Sequence, residues 1–339
     1  MVNALFDSQL KESFAFSWLE TSDDRGIIYN ISALIKAFFR APRLILKSDL
    51  VHIHTASYNS FRRKLLFMCW CVFLHRPYLL HIHGGGFREF IGNASWIGRK
   101  FYCWGLRHAA GVITLAEVFD RSVAAKEPRQ TMRRVIPNPG ALPVGASHAV
   151  KNSIDSVLFA GWIEPAKGVF ELLKAFAACG FSPDVRLAMP GKGRIVEVRA
   201  EAEKMGIAQQ VLTPGWQSPE QMKAWYENAD IFVLPSHIEG MPMVLLEAMA
   251  YGVPIISTDV GGIPSMLPES AKRFLIAPGD VKKLTALLKE LSLDPESRKR
   301  YGMELQGFYA QNFTGKIVFD KIADFYRTLL KSRDEKHYS

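Results

Sequence analysis

Cysteine is scarce in this chain, with four among 339 residues, at positions 69, 71, 103 and 179. None of the spacings suits a disulfide framework or a zinc site. Cys69 and Cys71 stand together inside an apolar run with no second pair, which reads as buried free thiols in a reducing cytoplasm. Long apolar stretches are also missing. The longest, Leu65 to Leu74, is half of what a membrane-spanning helix needs. Residues 1–20 carry acids and show no apolar core followed by a cleavage site, so no signal peptide is expected. Internal repeats and low-complexity tracts are absent. So are helix-turn-helix, zinc and aromatic-basic RNA motifs, which argues against a nucleic-acid partner.

What is present fits a globular α/β protein. Hydrophobic residues make up 48% and charged residues 22%, and the length is enough for two domains with cores of their own. The charge is lopsided. Residues 1–150 hold 19 Lys and Arg against 10 Asp and Glu, whereas residues 151–339 hold 23 of each. The net +9 therefore belongs to the first half. Either that half meets a polyanion, an anionic membrane or a phosphorylated acceptor, or the charges are a scattered solvated surface. Ser60 to Leu74 predicts a helix with Arg62, Arg63 and Lys64 at its start. Cations there oppose the helix dipole, which suits an anionic partner such as a membrane interface, although packing on a sheet explains the apolar body as well.

Strands and helices alternate through both halves. In the first, Asp49–His54, Pro77–His83, Ala110–Thr114 and Arg134–Asn138 read as strands. The segment Ser13–Leu19 is a further candidate. A linker from Pro139 to Ser153, rich in Gly, Pro, Ala and Ser, marks a boundary. The second half restarts at Ser156–Gly161 and continues through strands near Val185–Met189, Val211–Leu212 and Ile231–Leu234. Such alternation predicts one parallel sheet per half, with ligands at the carboxyl ends of the strands in the crevice between the halves. The domains expected are 1–148 and 149–315, with a terminal helix in 316–339.

The most informative stretch is Glu239-Gly240-Met241-Pro242-Met243-Val244-Leu245-Leu246-Glu247. A strand runs into a short loop with glycine, and a helix opens behind it. The first N–H groups of such a helix lack partners and its dipole favours an anion. A carboxylate beside an anion site suits something uncharged, such as sugar hydroxyls. The unit reads as a cradle for a sugar joined to a diphosphate.

The two glutamates with Gly-Met-Pro after the first and Glu-Ala-Met-Ala at the second resemble the donor-site signature of retaining family 4 glycosyltransferases of the GT-B fold. The continuation from Gly252 through Pro264 matches too, and the resemblance is specific over roughly 155–280. It implies two Rossmann-like domains facing across a cleft, with the final helix, from about Lys316 to Lys331, returning to the first domain. It implies a nucleotide diphosphate sugar as donor and a lipid-linked or growing bacterial surface saccharide as acceptor. It also implies front-face transfer with retention, at a cytoplasmic site that includes the inner membrane face.

Residue by residue, Glu239 is expected to hold the donor sugar with the backbone of Gly240, Met241, Pro242, Met243 and Val244. Glu247 is expected on the ribose. Gly161 and Lys167 occupy the loop after the first strand of the second half, with Lys167 on the diphosphate. Trp162 stands where the family usually has a second cation, an Arg. His83, at a strand end followed by Gly84, is expected to face the donor sugar. Asn138 matches a hinge-side Asn, and a turn explains it equally. Gly191, Gly193 and Gly215 are weaker candidates of the same kind. His52, His54 and His81 read as structural residues. A His-x-His zinc site is not expected, because no third ligand appears at suitable spacing. No Asp-x-Asp occurs, so neither metal nor other cofactor is expected. Helix dipole and Lys167 would stabilise the leaving diphosphate. The usual opening strand and Gly-rich loop are not found at the start. A non-catalytic nucleotide-binding homologue and a sugar-nucleotide epimerase on the same fold remain as alternatives.

Overall fold

The computed structural model describes residues 9–21, 27–56, 59–83, 95–125, 131–142 and 151–337. Internal contacts divide the chain into two units. One comprises Met1–Asn138 with Gly315–Ser339, the other Pro139–Thr314.

The first unit holds a four-stranded parallel sheet. Its strands are β1 (Val51–Thr55), β2 (Tyr78–Ile82), β3 (Gly111–Thr114) and β4 (Met132–Val135), and they lie side by side in chain order. Every residue of β2 and β3 is buried. That is the pattern of strands covered on both faces. One face packs under α1 (Ile27–Leu46), α2 (Asn59–Phe73) and α3 (Trp96–Arg107). Its core is built from Ala41, Ile45, Ile53, Phe61, Met68, Tyr78, Leu80, Ile82 and Tyr102. The other face carries Leu79 and Ile113 and is covered by Val318, Ile322, Phe325 and Tyr326 of the last helix, α11 (Gly315–His337). A short helix α4 (Glu117–Ala124) links β3 to β4.

Two differences from the sequence reading stand out. Ser13–Leu19 forms no strand. Phe14 and Phe16 pack against the last helix instead: Phe14 meets Tyr326 edge-on, with ring centroids 5.4 Å apart. Burial on a helix face removes the need for a sheet partner. Helix α1, on the other hand, runs 20 residues in spite of Pro42 inside it, and the sequence reading contains no helix there.

The second unit holds six parallel strands: β5 (Ser156–Leu158), β6 (Arg186–Ala188), β7 (Val211–Leu212), β8 (Ile231–Leu234), β9 (Ile255–Thr258) and β10 (Leu275–Ile276). Their spatial order is β10-β9-β8-β5-β6-β7. The chain therefore winds outward from β5 through β6 and β7, then starts again beside β5 with β8 and winds the other way. Helices α5 (Val169–Cys179), α6 (Ile195–Lys204), α7 (Pro219–Asn228), α8 (Met243–Tyr251), α9 (Val281–Leu293) and α10 (Pro295–Asn312) connect and cover the strands. Local chemistry agrees with these boundaries. Ser218 and Gln221 form a reciprocal capping box at the start of α7, and Asp280 caps α9. On α5 the buried Val169, Leu172, Leu173 and Phe176 follow helical spacing, and each buried side chain of this size contributes roughly 1.5–3 kcal/mol.

Within the second unit, its first and last residues are neighbours. Gly140 bridges Thr314, and its N–H donates to the Phe313 carbonyl at 2.7 Å.

Candidate functional site

In a doubly wound sheet the loops leaving the two strands at the reversal diverge, and a crevice opens at their carboxyl ends. Here those strands are β5 and β8. The loop after β5 carries Gly161, Trp162 and Lys167, and the loop after β8 carries Ser236, Glu239 and Gly240.

Glycine fixes how closely the two loops approach. Gly168 has φ of 68° and begins α5; a Cβ there would sit 2.0 Å from the Pro235 carbonyl oxygen. The His237 N–H donates to the Ala166 carbonyl at 2.9 Å, tying the loops together. This contact delivers Lys167 to Glu239. The Lys167 ammonium donates to Glu239 Oε1 at 2.6 Å, and Ser236 Oγ donates to the same oxygen at 2.8 Å. Glu239 is 8% exposed, so its charge is held by partners rather than by water. Its backbone is wedged as well. Gly261 has φ of 57°, and a Cβ on it would stand 1.9 Å from the Glu239 carbonyl oxygen. Gly262 N–H closes the turn onto the Gly240 carbonyl at 2.8 Å.

Behind this loop, α8 opens at Met243 with Pro242 as N-cap and no side chain capping it. Its positive end is therefore available to an anion. Four residues into the helix, Glu247 Oε2 accepts from the Tyr226 hydroxyl at 2.6 Å. Burial raises the Glu247 carboxyl above its ordinary pKa, and the Tyr226 hydrogen bond opposes that rise. Burial and the neighbouring carboxylate together push Tyr226 well up, so it stays a hydroxyl donor.

Three further loops meet edge to edge. Gly161 N–H donates to Pro190, Ile163 N–H to Lys192 and Gly191 N–H to Gly215. They present Trp162, 58% exposed, and Trp216, with the Lys192 ammonium 5.3 Å from the Trp216 ring centroid. Thus Gly161, Lys167, Glu239, Gly240, Met241, Pro242, Met243, Val244 and Glu247 all sit at one end of one sheet. Sequence reasoning placed Lys167 and Glu239 on different parts of a ligand; the fold also joins them as an ion pair. It gave no role to Ser236 or Tyr226. Ser236 sits at the strand end beside the signature, a signal that was readable. Tyr226 lies on another helix and leaves no local trace.

His83 belongs to the first unit, just beyond β2. Gly84 lies outside the described residues. His52 and His54 on β1 and His81 and His83 on or after β2 share one sheet face, because His54 pairs with His81 in the parallel register. Their rings stack in sequence with centroids 4.1–5.2 Å apart. His54 Nδ1 and His83 Nε2 are 2.8 Å apart, and the His83 side chain hydrogen-bonds Asn138. His52 Nδ1 bonds the Tyr326 hydroxyl at 2.5 Å, and His52 Nε2 lies 3.1 Å from His81 Nδ1. Desolvation is the main cause that holds all four neutral. His52 falls to about 3 and His83 to about 4, while His54 and His81 fall well below their ordinary value.

The sequence reading finds no third ligand at suitable spacing for a His-x-His zinc site; the fold brings three imidazoles together from two strands. One nitrogen each of His52, His54 and His81 lie within 4.8 Å of one another. The third ring comes from the neighbouring strand, 27 residues beyond His54, so spacing along the chain could not show it.

Residues 147–306 match the family described as Glycosyl transferases group 1. The D-inositol 3-phosphate glycosyltransferase of Segniliparus rotundus is 31% identical over 181 residues, covering 52% of this chain and 40% of that protein. The capsular polysaccharide biosynthesis glycosyltransferase CapM of Staphylococcus aureus is 25% identical over 192 residues, covering 56% of this chain and 50% of that protein. The chain thus matches half or less of the length of these relatives. Among solved structures, Anabaena HepE in complex with UDP is similar with a TM-score of 0.74 at 18% identity, covering 86% of this chain and 82% of HepE. That likeness establishes the fold as mixed α/β with two parallel sheets, of the GT-B type. The segment that matches the group 1 glycosyl transferases, 147–306, makes up most of the second unit.

Proposed function

We propose that this chain is a retaining glycosyltransferase that moves a sugar from a UDP- or GDP-sugar to a hydroxyl of a lipid-linked or growing surface saccharide. The observation that carries the reading is the cluster of Lys167, Ser236 and Glu239 beside the uncapped start of α8, at the strand reversal of the second sheet. A diphosphate on the α8 N-terminus would draw the Lys167 ammonium from Glu239. The freed carboxylate would then accept from sugar hydroxyls. As the bond to the sugar breaks, negative charge grows on the leaving diphosphate, where Lys167 and the helix dipole offset it without a metal ion. Glu247, half-buried and oriented by Tyr226, suits the two hydroxyls of a ribose. His83 takes the donor sugar in this reading, with its ring set by His54 and Asn138. The names of the relatives support the class of reaction: CapM is named for capsular polysaccharide biosynthesis, and HepE was solved with UDP.

The acceptor side rests on the first unit. Helix α1 exposes Ile31, Ile35 and Phe39 with Lys36 and Arg40 among them, and α3 exposes Trp96, Ile97 and Phe101 beside Lys100. Apolar side chains interleaved with cations suit a peripheral seat on an anionic membrane, where lipid-linked acceptors reside. Among the described residues, no helix is long and apolar enough to cross a membrane.

Calorimetric titration of UDP and of GDP, with Glu247→Ala alongside, tests the donor site. Binding of one nucleotide, weakened by the substitution, is the expected result. If neither binds, the reading fails. If one binds but no sugar transfer follows across a panel of its nucleotide sugars, the non-catalytic alternative takes its place.

A further inference from the structure

We propose that His52, His54 and His81 form a binding site for one first-row transition-metal ion of the zinc class in the first unit. The three ligands are distinct from the donor-site residues; His83, given to the donor sugar above, enters only as the partner of His54. Its basis is geometric. Alternate positions on two neighbouring parallel strands put three imidazoles on one face, with a nitrogen of each inside a 4.8 Å span. Two nitrogens on a tetrahedral zinc, at 2.0–2.1 Å from the ion, stand about 3.3 Å apart. His52 Nε2 and His81 Nδ1 are already 3.1 Å apart.

The second ring nitrogens are arranged as metal-ligating imidazoles require. A ligating histidine engages its other nitrogen with an oxygen or nitrogen partner that fixes tautomer and ring angle. His52 Nδ1 has Tyr326 and His54 Nδ1 has His83, which leaves Nε2 on both rings for the ion. His81 is 0% exposed, and its Nε2 has no hydrogen-bond partner among the described residues. A fully buried ring nitrogen without a partner is unfavourable. Coordination through Nδ1 would leave the Nε2 proton, while coordination through Nε2 would satisfy the orphaned atom outright. The donor set also selects the ion. Three imidazoles suit Zn²⁺, Co²⁺, Ni²⁺ or Cu²⁺, whereas Mg²⁺ and Ca²⁺ take oxygen ligands. The rings stack in the metal-free arrangement, so binding turns them toward a common point.

The test uses the full-length, untagged protein, stripped with chelator and dialysed. Co²⁺ is titrated in and followed by its visible ligand-field bands, then displaced by Zn²⁺, with metal per chain counted by elemental analysis. One equivalent of tetrahedral or five-coordinate Co²⁺, displaced by Zn²⁺ and unaffected by excess Mg²⁺, is expected. His54→Gln and His52→Gln should each weaken binding at least about tenfold. His81 is so deeply buried that its substitution risks the fold, so the two half-buried positions carry the test, each checked by circular dichroism. Absence of Co²⁺ uptake by the stripped protein would mean that the rings form a hydrogen-bonded ladder only, and the proposal is overturned. Undiminished binding in folded His52→Gln/His54→Gln would overturn it equally, by placing the metal elsewhere.

Discussion

The two sheets are both parallel, yet they differ in one topological respect. In the first unit the described strands lie in chain order from β1 to β4; in the second the order reverses between β5 and β8. Reversal makes loops part company, and the parting is where Lys167, Ser236 and Glu239 gather. Without a reversal, polar side chains have no ready crevice among the described strands of the first unit. There they stand on the sheet face itself, as a stack of four imidazoles under α11. The second unit thus keeps its chemistry on glycine-shaped loops, and the first keeps it within its core. A polar group in a loop can exchange its partner for a ligand. A polar group in the core must find its partner in the fold.

That contrast should be sharpest in acid. His52 titrates at about 3 and His83 at about 4 in the folded chain, against about 6.5 when unfolded. A base with a lowered folded pKa makes the unfolded state the better proton acceptor. Its stabilising contribution is therefore complete above pH 6.5 and is lost as the pH falls from there toward 4. Each pH unit in that window removes up to about 1.4 kcal/mol per histidine. In chelator-containing buffer, hydrogen exchange should show β1 and β2 opening before β8 and β9 as the pH drops from 7 to 5. Simultaneous opening would break the comparison. In the second unit the half-buried Glu247 has its pKa raised, so its effect on stability runs the other way, growing as the pH falls.

The next largest effect is expected at Gly168. Alanine there meets the Pro235 carbonyl at 2.0 Å and takes a left-handed φ, and the two together should cost about 3 kcal/mol of stability. Denaturant unfolding would read it, and the loss should be confined to the second unit. Lys167→Ala should leave the fold intact and lower kcat/KM for the nucleotide sugar about 100-fold, as expected for losing one charge from the leaving group. A change of only a few-fold would remove Lys167 from the diphosphate. The smallest effect belongs to Tyr226→Phe. It takes one hydrogen bond from Glu247 and should cost about 1 kcal/mol in unfolding, with a few-fold loss in nucleotide affinity.

Much of the second unit was readable along the chain. The run Ile231–Leu234 is a strand of that length, and Glu239 to Glu247 spans its loop and the start of the next helix as the spacing implied. Apolar runs, glycines and a helix start are local signals. The first unit was read less well for reasons equally physical. The alternation Phe14, Phe16, Trp18 has the period of a strand, but Phe14 and Phe16 pack against the last helix and Trp18 stays exposed. Pro42 obscured a 20-residue helix that tertiary packing sustains. At the candidate site, the pairing of Lys167 with Glu239 joins residues 72 apart, and that of His52 with Tyr326 joins residues 274 apart. Such pairs exist only once strand order is fixed, and strand order is not written in any single segment.

The last helix has a consequence for how the protein is made. The second unit is continuous in the chain, whereas the first needs Gly315–His337 to cover the face bearing Leu79, Ile113 and the imidazoles. On the ribosome, residues 51–135 emerge early, yet the lid of their core is synthesised only after the whole of 139–314. For that interval a nascent chain carries an open apolar sheet face, the kind of surface that holding chaperones occupy. A premature stop near residue 314 would therefore damage the end of the molecule farthest from it in sequence, leaving the later-made unit whole and the earlier-made one unfinished.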